Sequence, residues 1–75
     1  MTLLDCQKDH RYTILEIQGA DTALKDRFLS FGIRPGVEFT LLQHSLRRAT
    51  FSICIDNAQI ALRSHEAALL HVSPL

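Results

Sequence analysis

Glycine, proline and cysteine are scarce in this 75-residue chain (three, two and two residues), and tryptophan is absent. Each shortage excludes something. Three glycines cannot supply the glycine-rich loop that cradles a nucleotide phosphate, and neither a nucleophile elbow nor an HExxH pair occurs, so the chain has no catalytic apparatus of its own. It is not expected to be an enzyme. Cys6 and Cys54 form no CxxC pair and no dense secreted-type framework, which points to a reducing cytoplasm. No run of about 18 apolar residues is present. Asp5, Lys8, Asp9 and His10 break the start of the chain where an export signal would need an apolar stretch, so neither membrane insertion nor export is expected. Eight basic residues against eight acidic leave no excess positive charge, whereas proteins that live on nucleic acid gain affinity from such an excess. Nucleic acid is an unsuitable partner.

What remains is the composition of a folded globule, 47% hydrophobic and 21% charged, too short for more than one domain, here residues 1–75. Tyr12 to Gln18 is rich in β-branched and aromatic types and ends at Gly19, predicting a strand with Leu15 and Ile17 on one face. Asp21-Thr22 offers a helix cap, and Leu24, Phe28 and Phe31 recur at helical spacing, predicting a helix over 22–31 that Gly32 stops. Pro35-Gly36 suits the centre of a type II turn.

From Val37 the period becomes two. Val37, Phe39 and Leu41 face inward until Leu42 breaks the polar side, and a second strand ends near His44. Phe51, Ile53 and Ile55 alternate through a third strand, with Ser52 and Cys54 on its other face. Asp56-Asn57 turns the chain tightly into a fourth strand carrying Ala58, Ile60 and Leu62. Ser64 can cap one helical turn, and Leu70 and Val72 begin a fifth strand that ends at Pro74. Five short strands with one real helix exclude a doubly wound sheet. They predict a mostly β fold, a small SH3-like, partly closed antiparallel barrel with one inserted helix and a short C-terminal helical turn.

The string Arg27-Phe28-Leu29-Ser30-Phe31-Gly32-Ile33-Arg34-Pro35-Gly36 resembles the signature of the FeoA family of bacterial ferrous iron transport. The closing segment Ile60-Ala61-Leu62-Arg63, Glu66-Ala67 and Leu70-His71-Val72 is similar to that family's as well. The likeness runs from about Tyr12 to Val72 and implies an SH3-like barrel with a helix after the first strand. It also implies a non-catalytic cytoplasmic accessory protein, without a cofactor, that binds the GTP-binding part of the FeoB permease at the inner face of the membrane. The chain departs from the family pattern in two places. Ser45-Leu46-Arg47-Arg48-Ala49 stands where many members have a Pro-Gly-Asp-Pro type of turn, and His10 stands where a glycine often precedes the first strand. The same module also occurs at the C-terminus of iron-dependent repressors, whose DNA reader and dimerisation domain this length cannot hold.

Candidate site residues follow from those features. Leu46 in a surface loop, between Ser45 and the charges of Arg47 and Arg48, reads either as a partner anchor or as a cover over the barrel mouth. Pro35 and Gly36 offer a second docking surface. A competing reading makes the chain a metal-responsive module binding through His10, His44, His65 and His71, but their spacing announces no site, and His65-Glu66 point about 100° apart on one helical turn. Arg27 is expected to be structural, reaching either the Gly32 turn or a nearby acid. Cys54 reads as a small apolar filler, and the sequence assigns Cys6 no role.

Overall fold

Alternation of buried and exposed side chains builds five strands in the computed structural model, which describes residues 1–75. They are β1 (Arg11–Ile17), β2 (Glu38–His44), β3 (Thr50–Ile55), β4 (Ala58–Arg63) and β5 (Leu70–Pro74). All pair antiparallel, in the order β4-β3-β2-β1-β5. Because β4 and β5 form opposite margins and do not pair, the barrel is only partly closed, as the sequence predicts. Helix α1 (Thr22–Ser30) is inserted between β1 and β2, and the single turn α2 (Ser64–Ala67) lies between β4 and β5.

The inward set is close to the predicted one. Phe28, Phe39, Leu41, Phe51, Ile53, Ile55, Ile60, Leu62, Leu70 and Val72 are all buried, with Leu24, Phe31 and Val37 packed half-buried against them. Ala58, beside the hairpin turn, is exposed. Asp21 caps α1 by accepting the Leu24 N–H at 2.8 Å, and the helix stops one residue early, at Ser30, with Phe31 as its last cap. An N-terminal 3-10 turn (Leu3–Asp5), which the sequence reading does not foresee, buries Leu3 and is capped by Thr2.

The face assigned to β1 is wrong in the sequence reading. Tyr12 and Ile14 point inward, Leu15 is 55% exposed and Ile17 is half-buried. The cause is a β-bulge: Ile14 pairs with Val72 and Glu16 with His71, so Leu15 is an extra residue without a partner. Such an insertion moves every later side chain to the other face. A second bulge lies at Leu42, between the pairs Leu41–Ile53 and Gln43–Ser52. There the broken alternation is visible in the sequence.

Both turns follow expectation. Val37 N–H donates to the Arg34 carbonyl at 3.2 Å across Pro35-Gly36, and Gly36, at φ +91°, donates to the Ile14 carbonyl at 2.8 Å. Asp56 and Asn57 both hold positive φ, 48° and 68°, as a two-residue hairpin turn of type I′ requires. A methyl group at Gly36 would meet nothing within 4 Å, so its cost is purely conformational. Gly36→Ala is expected to destabilise the protein by roughly 1–2 kcal/mol in urea denaturation, with an unchanged slope.

Candidate functional site

One charged side chain is buried: Glu66, at 1% exposure. Burying a carboxylate is costly unless its oxygens are partnered, and both of these are. Oε1 accepts the backbone N–H of Arg63 at 2.9 Å, and Oε2 is paired with the Arg27 guanidinium from α1. The sequence reading gives the cap of α2 to Ser64, but Ser64 is the first helical residue and Arg63 precedes it as the cap. Glu66, two residues on in the helix, performs the capping by reaching back. Arg27 also lies over the Phe31 ring, 5.4 Å from its centroid. Arg27 is therefore structural as expected, with a partner 39 residues away rather than a neighbouring acid. The single acid just ahead of the apolar run Ala67-Ala68-Leu69-Leu70 is the signal that could have found it.

The loop between β2 and β3 is tied to Ser45. Its hydroxyl accepts the N–H groups of Ala49 (2.9 Å) and Thr50 (3.1 Å), its N–H donates to the Thr50 carbonyl (2.9 Å), and its carbonyl accepts from Arg48 (2.9 Å). Arg48 sits at φ +53° to close the turn. At the tip, Leu46 is fully exposed, at 102%, and is followed by two exposed arginines, Arg47 and Arg48, the second donating to the Leu4 carbonyl at 3.4 Å. Leu46 does not cover the barrel mouth. Pro35 and Gly36 are exposed too, but they precede the start of β2 whereas the loop follows its end. Seven strand residues, about 20 Å, lie between. The two candidate surfaces are separate.

The histidines are dispersed. His10 and His65 are exposed, His71 pairs with Glu16 in the β1–β5 ladder, and His44 packs on Phe51 with ring centroids 5.9 Å apart. His44 Nδ1 donates to the Ser45 carbonyl at 3.0 Å. No three His, Cys, Asp or Glu side chains are gathered to hold a metal ion. Half-buried Cys54 lines an open groove of about 560 Å³ with Arg11, Glu38, Thr40, Asp56 and Asn57, in which Arg11 and Glu38 pair at 2.8 Å. The Cys6 thiol is buried, and burial, helped by the charge of Asp5, pushes its pKa up to about 12.

A half-open SH3-like barrel with a helix after its first strand defines a known class of module. The solution structure of the FeoA protein from Chlorobium tepidum matches all of this chain and 70% of its own, with a TM-score of 0.90 at 19% identity. A manganese-dependent transcriptional repressor in complex with manganese also matches, with a TM-score of 0.90 at 26% identity. There the present chain spans 36% of the longer protein. The FeoA domain profile matches residues 1–74, and the chain belongs to the FeoA family. A relative from Helicobacter pylori strain J99, provisionally named Fe(2+) transport protein A, is 57% identical over 70 residues, covering 93% of this chain and 90% of its own. One of the same name from Campylobacter jejuni is 33% identical over 66 residues, covering 88% and 89%.

Two outcomes follow from the buried groups. Arg27 is half-exposed and Glu66 is not, at 49% and 2% of their side chains. Arg27→Ala, which leaves Oε2 of a buried carboxylate without a partner, and Glu66→Ala, which frees the Arg63 N–H and leaves a void, should each cost about 2–4 kcal/mol of stability. Chemical denaturation measures both. For Cys6, the folded state holds its proton up to about pH 12 while the unfolded chain releases it near pH 9. The contribution to stability is thus present below pH 9 and is lost as pH rises from 9 toward 12. Cys6→Val should flatten that part of the stability–pH profile.

Proposed function

We propose that the chain is a non-catalytic cytoplasmic accessory protein of ferrous iron uptake that docks on the GTP-binding part of the FeoB permease, with the loop after β2 as its contact. Family membership supports the transport role. One observation carries the docking reading: a fully exposed leucine on a loop tied by four hydrogen bonds to Ser45, with two exposed arginines after it, of which Arg48 reaches the Leu4 carbonyl at 3.4 Å and Arg47 extends into solvent. Folding gains nothing from such a residue at that position. An apolar anchor filling a partner's pocket contributes most of the affinity of a small interface, while charges at the rim steer the encounter. The arginines suit acidic or phosphate groups bordering that pocket.

Titration of the permease's soluble cytoplasmic domain with this protein, with and without guanine nucleotide, tests the proposal. Leu46→Asp should weaken binding by about tenfold or more while the melting temperature stays within a few degrees of the parent, because the side chain touches nothing in the free protein. Arg47→Glu should weaken it less, with an effect that shrinks as salt is raised. Unchanged binding by Leu46→Asp would move the contact elsewhere, first to the turn at Pro35 and Gly36.

A further inference from the structure

The two margins of the sheet are finished differently. Along β5 the N-terminal segment adds a partner: Thr2 bridges His71, and the Met1 carbonyl accepts the Val72 N–H at 3.0 Å. Strand β4 has no such cover. Its hairpin closes with Ile55 opposite Ala58, so the mutually bonded pairs with β3 are Ile55–Ala58, Ile53–Ile60 and Phe51–Leu62. Ser64 N–H, donating to the Ala49 carbonyl at 3.0 Å, continues that phase. The N–H and C=O groups of Gln59, Ala61 and Arg63 therefore point away from β3. Glu66 takes the Arg63 N–H. Gln59 and Ala61 have no backbone bond outside the strand ladder, and both are exposed. Nor is the edge guarded, since β4 carries no charge or proline before Arg63, the devices that normally keep such margins apart.

We infer that β4 pairs antiparallel with β4 of a second copy of this chain across a two-fold axis. The free groups are self-complementary. With Ile60 facing Ile60 of the second copy on the axis, Gln59 stands opposite Ala61 of the second copy, and Ala61 opposite its Gln59. Both are mutually bonded pairs, so four hydrogen bonds satisfy all eight free groups. The same register sets Arg63 beside the Asp56-Asn57 turn of the other copy, opposite charges meeting at both ends. A foreign strand would have to supply that charge and spacing, whereas a second copy carries them already. The contact is short, and the dimer is correspondingly weak.

Sedimentation equilibrium of the full chain from about 20 μM to about 1 mM, the range where small interfaces associate, tests this directly. A reversible dimer is expected, with the exchange of the Gln59 and Ala61 amides slowing as concentration rises. Gln59→Lys with Ala61→Lys places like charges opposite each other and should raise the dissociation constant at least about tenfold, with melting temperature nearly unchanged because both side chains are exposed. Ala61→Pro deletes an N–H that β3 does not use and should act in the same direction. A monomer at the highest concentration, with both amides exchanging freely, would overturn the inference. So would a dimer indifferent to the paired lysines, or amide protection that appears only when another protein is added.

Discussion

One carboxylate holds the open side of this barrel together. Glu66 sits in α2, where the chain leaves β4, and its two oxygens go to different structures: one ends β4 by taking the Arg63 N–H, and the other fastens α1 through Arg27. Without it the last outward donor of β4 would be orphaned, and α1 would lose its polar tie to the α2 turn. The charge is tolerable in a buried place because each oxygen has a donor and because Arg27, stacked on Phe31, brings the opposite charge from the solvent side. A barrel that leaves β4 and β5 unpaired needs such a clasp more than a closed one would.

Curvature comes from another source. A five-stranded sheet this short closes partway only if its strands bend, and the extra residues Leu42 and Leu15 bend β2 and β1, the middle strand and one of its two neighbours. Leu15 is exposed as a result. Its apolar surface reflects the geometry of the bulge rather than a mistake in the core pattern.

Much of this fold is legible in the sequence because strands and helix bury alternating or helically spaced residues, and both periods survive in a single chain. Phe39 to Leu41, Phe51 to Ile55 and Ile60 to Leu62 are of that kind. The bulge at Leu15 was not legible, since two adjacent aliphatic residues fit either face equally well and the partner strand decides between them. The clasp was hidden for a different reason. Arg27 and Glu66 lie 39 residues apart, and the one local mark, an acid set just ahead of an apolar run, flags Glu66 as an acid near the core without naming the arginine it meets. Of the candidate site residues, Leu46 stood out as an apolar residue in a polar loop, but its full exposure needed the Ser45 ties, which fix where the tip points. That Pro35-Gly36 and Leu46 lie at opposite ends of β2 followed only once that strand's limits were known.

The Ser45 ties have one more consequence. A leucine on a slack loop would have to be ordered at the moment of contact, and the lost freedom of several residues would be subtracted from whatever its burial contributes. Here the ordering is completed during folding, by bonds within the loop itself. Burying the tip then freezes little beyond one side chain, so even a shallow apolar pocket can hold it, and encounters need not wait for the loop to find its shape.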